Sequence, residues 1–211
     1  MQVKFWGVRG SIASASKETA GVGGNTTCVE IRCGDELIII DTGTGVRYLG
    51  MSLMKEMPVK GTILFSHVHW DHIQGFPFFA PFFVPGNEFR VFGGTSLPIT
   101  ISDVLNQQMT PPCFPVKTDL FGAKITYHDV KPGDVIEGDN YKITMTSLYH
   151  PNGCYAYRIE YEGKSLVFST DCEHYEDRPN TNLIELCRDT DVLVYDAQYT
   201  EDEYYGRNGQ F

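Results

Sequence analysis

The chain has 211 residues, of which 42% are hydrophobic and 21% are charged, as expected for one globular domain spanning residues 1–211. Its formal net charge of −10 argues against an extended basic surface that grips duplex nucleic acid through many phosphates. No apolar run approaches the roughly 20 residues that a membrane helix needs, and no secretion leader is recognisable, so we expect a soluble cytoplasmic protein.

Short segments rich in Val, Ile, Tyr and Phe lie between turn residues, a pattern typical of β-strands. In chain order these segments are 3–8, 27–32, 37–40, 62–65, 89–92, 124–128, 142–148, 155–161, 165–169 and 192–195. Helix signals are fewer: 46–56, a start at Asp71, 97–109 behind Thr95 and Ser96, and 182–188 behind Asn180 and Thr181. Strands that come first in runs and then alternate with helices predict an α/β fold, in which two sheets pack face to face and helices cover the outside.

The cysteines do not form any C-x-x-C pair, which suits neither a zinc ribbon nor a disulfide scaffold and favours free thiols. They are Cys28, Cys33, Cys113, Cys154, Cys172 and Cys187. Segment 76–85 is unusual in another way, because it places five phenylalanines among three prolines. These rings either pack in the core or form an apolar wall beside a substrate pocket.

The segment HVHWDH, residues 67–72, directly follows the predicted strand 62–65 and holds three of the six histidines of the chain. If the chain stays extended, alternation points His67, His69 and Asp71 to one side and His72 to a neighbouring point. Imidazole and carboxylate groups are preferred ligands of zinc and also suit iron or manganese. Ordinary core or surface placement is a poor explanation for so compact a cluster, which therefore predicts adjacent metal positions.

The same segment matches every fixed position of the signature H-x-H-x-D-H, so the chain resembles the metallo-β-lactamase superfamily. Residues 41–45, DTGTG, look like the D-x-G turn of that superfamily, and His150 and Asp171 look like its later metal ligands. Segments 5–11, 24–28 and 195–200 look like a bacterial branch related to phosphodiesterases and to RNase Z type nucleases. The resemblance implies a metallo-β-lactamase-type αββα sandwich of two packed mixed sheets with helices outside.

The resemblance also implies a ligand set for two divalent ions, with zinc expected and manganese or iron as alternatives. His67, His69 and His150 would hold one ion, while Asp71 and His72 would hold the other, with Asp171 between them. Asp71 is in addition expected to act in catalysis by accepting a proton from the attacking water. Asp41 either orients a ligand imidazole from behind or serves only as a turn residue.

The superfamily has one more histidine ligand, in a Gly-His-Ser type turn downstream of segment 195–198, and the sequence ends at Phe211 before such a residue. We expect from this that the sequence lacks the C-terminal end of the domain, since segment 201–211 also offers no closing strand or helix. The alternatives are that fewer protein ligands hold the second ion, or that His174 or a partner chain substitutes.

The function implied by the resemblance is that of a dinuclear phosphodiesterase, which attacks a cyclic nucleotide or another small phosphodiester with a metal-bound hydroxide. A thioester, lactone or β-lactam hydrolase of the same fold is the alternative enzyme. A degenerate, non-catalytic metal-binding module is the alternative of another class, suggested by the missing histidine. No protein partner is indicated, and a homo-oligomer stays open.

Overall fold

The computed structural model describes residues 1–174, 177–200 and 202. Its first sheet has six strands, which neighbour one another in chain order: β1 (Gln2–Gly7), β2 (Cys28–Cys33), β3 (Glu36–Ile40), β4 (Lys60–Leu64), β5 (Glu88–Gly93) and β6 (Lys124–Asp129). The second sheet is built from β7 (Val135–Glu137), β8 (Tyr141–Leu148), β9 (Cys154–Tyr161), β10 (Lys164–Ser169) and β11 (Val192–Tyr195). Its spatial order is β11-β10-β9-β8-β7. Both sheets are mixed, because each contains parallel and antiparallel pairs.

The described α-helices are α1 (Val46–Leu53), α2 (Trp70–Ile73), α3 (Ile101–Gln108) and α4 (Thr181–Leu186). The prediction for α3 was wrong at its start. Thr95 bonds to the backbone of Leu97 in a local turn, and Thr100 caps the helix instead by accepting a hydrogen bond from the Asp103 amide. Helix α1 ends at Leu53, before the predicted residue 56, whereas Asn180 caps α4 as predicted.

Alternate residues of the central strands face two different layers, as the pleat of a β-strand requires. In β3, Ile38 and Ile40 pack between the two sheets, while Leu37 and Ile39 pack beneath α1 and α3. On the far face of the second sheet, Leu183 of α4 covers residues of β8 and β9. The layers are therefore helix, sheet, sheet and helix, which confirms the predicted αββα sandwich.

The carboxyl ends of β3 and β4 position the chain segment that carries the histidine cluster. These strands pair in parallel, and the last three residues of each are buried, which explains why β3 ends in three isoleucines and β4 in Ile63 and Leu64. Two hydrogen bonds then fix the continuation of β4 against the second sheet. The Tyr157 hydroxyl donates to the Phe65 carbonyl at 2.7 Å, and the Tyr155 amide donates to the Ser66 carbonyl at 2.8 Å.

The phenylalanine-rich segment after the histidine cluster forms two short 3₁₀ helices, Phe76–Phe78 and Ala80–Phe83. Phe76, Phe79 and Phe82 are fully buried in the core beneath the helices, so core packing is confirmed for these three rings. Phe78 and Phe83 are 55% and 39% exposed. The six cysteines are free, as predicted. Along the described residues, no helix combines the length and apolar content that crossing a membrane would take.

Replacement of Tyr157 by Phe tests the bond between the sheets. The ring is fully buried, and its hydroxyl is the donor to Phe65, so Tyr157→Phe leaves a buried carbonyl without this donor. We expect the free energy of unfolding to fall by about 1–3 kcal/mol, measured by urea denaturation. Tyr127→Phe is the control, because among the described residues the Tyr127 hydroxyl has no hydrogen-bond partner. Equal stability of the two variants would contradict the prediction.

Candidate metal centre

The six side chains that the sequence singled out as metal ligands lie at the ends of strands from both sheets. His67, His69, Asp71 and His72 follow β4 of the first sheet, whereas His150 follows β8 and Asp171 follows β10 of the second. The structure brings all six together at one edge of the sandwich. The packing of the two sheets therefore sets the distance between the histidine motif and the two residues from the second sheet.

Three imidazole nitrogens of His67, His69 and His150 form the first group of ligand atoms. His69 Nδ1 lies 3.0 Å from His67 Nε2 and 3.1 Å from His150 Nε2, and the three atoms all lie within 4.8 Å of one another. A neutral imidazole carries a lone pair on one ring nitrogen, so the three nitrogens cannot all satisfy one another by hydrogen bonds. A cation among them would satisfy all three.

His72, Asp71 and Asp171 form the second group, and the ligand atoms of His67, His72 and Asp171 also lie within 4.8 Å of one another. His72 Nε2 lies 3.3 Å from Asp71 Oδ2 and 3.2 Å from Asp171 Oδ2. The other oxygen of Asp171, Oδ1, lies 3.9 Å from His150 Nε2 in the first group. Asp171 thus faces both groups with one oxygen each.

Asp71 lies elsewhere than strand alternation predicted. The extended course from β4 holds only as far as His69, because α2 begins at Trp70 and turns the chain. Asp71 therefore points to His72 and not to the point shared by His67 and His69. This position agrees with the one that the family resemblance implied.

Carboxylates behind the cluster fix the orientation of two imidazoles. Asp41 Oδ2 lies 2.8 Å from His72 Nδ1, and Glu173 Oε1 lies 3.2 Å from His150 Nδ1. A ring that donates through Nδ1 keeps its lone pair on Nε2, which is the atom that faces the cluster. Asp41 has φ of 59°, in the left-handed region that Asp tolerates better than most residues. It therefore serves both as a turn residue and as a contact of a cluster imidazole.

Sequence reasoning missed three residues that support the cluster. Ser66 donates to Asp41 through both its amide and its hydroxyl, each at 2.8 Å. The Ser11 amide donates to Asp71 Oδ2 at 2.8 Å, and Glu173 is the partner of His150. The available signals were weak: Ser66 merely precedes the histidine motif, and Glu173 lies two residues after Asp171.

The electrostatics of the cluster call for positive charge. Burial, together with the neighbouring His72, lowers the pKa of His67 to about 2, so this imidazole is neutral and available as a ligand. Burial also opposes a charge on His72, but Asp41, Asp171 and Asp71 outweigh it and raise the pKa of His72 to about 12. The three carboxylates thus favour a cation at the cluster, in which His67 and His72 are buried and His69, His150 and Asp171 are partly exposed.

The donor set fits divalent metal ions. It combines neutral imidazole nitrogens with carboxylate oxygens, which suit zinc and also manganese or iron. Among the described residues, no Lys or Arg forms an ion pair with Asp41, Asp71 or Asp171, so none supplies the missing positive charge. His174 lies outside both groups: its Nε2 is 3.4 Å from the Tyr195 hydroxyl.

Two further observations concern residues away from the cluster. His128 of β6 is exposed and stacks on Phe92 with ring centroids 4.7 Å apart. The expected lack of a closing element in segment 201–211 lies outside the described residues, apart from residue 202.

Comparison with known proteins gives one family match. The family model for the beta-lactamase superfamily domain matches residues 37–211. Ribonuclease Z of Methanothermobacter thermautotrophicus is 28% identical over 164 residues, which cover 76% of this chain and 48% of that protein. The chain therefore spans about half the length of several curated relatives that it matches.

Solved structures share the fold at lower identity. A diphosphatase from the PhnP family has a TM-score of 0.62 and 19% identity, covering 90% of this chain and 72% of that chain. Zn²⁺-bound PqqB from Methylobacterium extorquens has a TM-score of 0.66 and 14% identity, covering 99% of this chain and 77% of that chain.

Replacement of Asp41 by Asn tests the support of His72. Asparagine keeps the size and tolerates the positive φ, but it removes the charge and presents an amide group where two donors converge. We expect Asp41→Asn to bind zinc about 10- to 100-fold more weakly in competition with a chromogenic chelator. Asp189→Asn is the matched control, since Asp189 has φ of 53° and is exposed, away from the cluster. Unchanged zinc affinity of Asp41→Asn would contradict the assignment.

Proposed function

This chain belongs to the beta-lactamase superfamily, and from that premise we propose that it is a dinuclear, metal-dependent phosphodiesterase acting on a cyclic nucleotide or another small phosphodiester. The observation that carries the proposal is the pair of ligand groups at the strand ends, which Asp171 joins by facing both. Two adjacent metal positions suit a phosphodiester, because its attacking and leaving oxygens need charge stabilisation at two points.

The proposed ligand set follows the distances within the cluster. His67 Nε2, His69 Nδ1 and His150 Nε2 would hold one ion, and His72 Nε2 and Asp71 would hold the second, with Asp171 available to both. Zinc is the ion proposed first, with manganese or iron as alternatives. When bound, such ions lower the pKa of water to about 7 and neutralise charge that develops on the phosphodiester.

Asp71 is the proposed proton acceptor for the attacking water. Its Oδ2 accepts the Ser11 amide hydrogen and lies beside His72, which leaves Oδ1 to take the proton. Burial raises the pKa of Asp71, but the bonds from His72 and Ser11 outweigh burial and hold that pKa below its ordinary value. Asp71 is thus ionised before the reaction, as both a ligand and a base must be.

Charge supports a small phosphodiester as the substrate. Two divalent ions would carry more charge than Asp41, Asp71 and Asp171 together, so the loaded cavity would attract an anion although the whole chain has a net charge of −10. The same acidity disfavours a long nucleic acid, whose phosphates would meet the rest of the surface. Two of the similar proteins are named a ribonuclease and a diphosphatase, which also favours phosphorus chemistry.

The proposed activity predicts that hydrolysis of bis(p-nitrophenyl) phosphate disappears when metal is stripped and returns with zinc, manganese or iron. We expect His150→Ala to lose at least about 100-fold in kcat/KM, because even residues behind the ligands contribute 10- to 100-fold. His128→Ala is the matched control, since His128 is an exposed histidine outside the cluster, and it should keep full activity. Metal analysis of the purified protein should give near two ions per chain.

A panel of a thioester, a lactone and a β-lactam, assayed with the same preparations, decides between the hydrolase classes. If one of these substrates is hydrolysed while the phosphodiester reporter and cyclic nucleotides are not, the proposed substrate class is wrong. Near two ions without turnover of any substrate would favour a non-catalytic metal-binding module. Full activity of His150→Ala would contradict the ligand assignment itself.

A further inference from the structure

Ser66 occupies the position between β4 and the first histidine of the cluster, and every polar atom of this residue is bonded. It is fully buried. Its amide and its hydroxyl both donate to Asp41, and its carbonyl accepts from the Tyr155 amide in the second sheet, with each distance at 2.8 Å. Ser66 is thus bonded to residues at the ends of both sheets, and these bonds fix the position of its hydroxyl oxygen.

That hydroxyl oxygen lies 3.2 Å from His67 Nδ1. Since the Ser66 hydroxyl gives its hydrogen to Asp41 Oδ2, its lone pairs are left to accept the Nδ1 hydrogen of His67. This arrangement leaves the lone pair of His67 on Nε2, the atom that faces His69 Nδ1. The other neighbour of His67 Nδ1, Cys154 Sγ, is more distant at 3.8 Å and is a weak acceptor.

His67 differs from two other imidazoles of the cluster because, among the described residues, no carboxylate contacts its Nδ1. His72 bonds to Asp41 directly, and His150 bonds to Glu173. His67 reaches Asp41 only through the hydroxyl of Ser66. One buried carboxylate therefore supports an imidazole in each ligand group, one by direct contact and the other through a serine.

We propose that Ser66 is a positioning residue. Its hydroxyl connects Asp41 to His67, so that the metal affinity of both ligand groups depends on one carboxylate. This inference rests on the proposed metal centre and adds a residue that connects its two ligand groups. The hydroxyl, which also lies 3.3 Å from His72 Nδ1, acts through these side chains and touches neither substrate nor metal.

The test measures stepwise binding of zinc and of cobalt(II) to Ser66→Ala, Asp41→Asn and the double variant, with a competing chelator. We expect Ser66→Ala to lower the affinity of the position that His67 serves by about 10-fold and to change its cobalt(II) absorption spectrum. The double variant should bind no more weakly than Asp41→Asn alone, because the hydroxyl acts through the carboxylate that this substitution removes.

Ser165→Ala is the matched control. Ser165 is a buried serine of β10 whose hydroxyl lies 3.3 Å from the Thr190 hydroxyl and 3.5 Å from the Asp191 carboxylate, so the same kind of hydrogen bonding is removed. Its metal affinity should equal that of the wild type, and the metal-free melting temperatures of the two serine variants should be similar.

Two outcomes would overturn the inference while leaving the proposed function intact: wild-type affinity in Ser66→Ala, or losses in Ser66→Ala and Asp41→Asn that multiply in the double variant. A wild-type chain that takes up no metal would overturn the proposed function and this inference with it. A loss of affinity in Ser165→Ala equal to that in Ser66→Ala would reduce the effect to general destabilisation and overturn the inference as well.

Discussion

The burial of the Asp41 carboxylate at the end of β3 constrains the geometry of the whole centre. A buried charge is costly unless donors surround it, and Asp41 has three, namely the Ser66 amide, the Ser66 hydroxyl and His72 Nδ1. These donors belong to the segment that continues from β4, the parallel neighbour of β3. Satisfying one carboxylate therefore fixes both the start of the histidine motif and its last imidazole.

The second constraint is the packing of the two sheets. The first sheet alone supplies His67, His69, Asp71 and His72, which are close in sequence and need only a strand followed by a turn. His150 and Asp171 come from β8 and β10 of the second sheet, so they meet the motif only because the sandwich core sets the sheets at one distance. Core side chains such as Ile40 and Tyr157, which are not themselves candidate ligands, in this sense help to build the site.

The strands and layers were largely predictable because apolar runs and alternation report burial directly. The missed strand β7 is only three residues long and lies at a sheet edge, where burial imposes little pattern. The motif itself was predictable from composition and spacing, but His150 and Asp171 were found through the family resemblance, since no local pattern connects them to residue 67. Ser66, Glu173 and Ser11 were missed because their partners lie 25, 23 and 60 residues away in the chain.

The bonds from Tyr155 and Tyr157 to the segment after β4 have a consequence for how ions enter and leave. They hold the two sheets in register beside the ligands by protein contacts alone. The frame of the site thus exists before any ion arrives, in contrast to small zinc domains that fold only around their metal. Exchange of one ion for another at the proposed centre would then require no refolding of the chain.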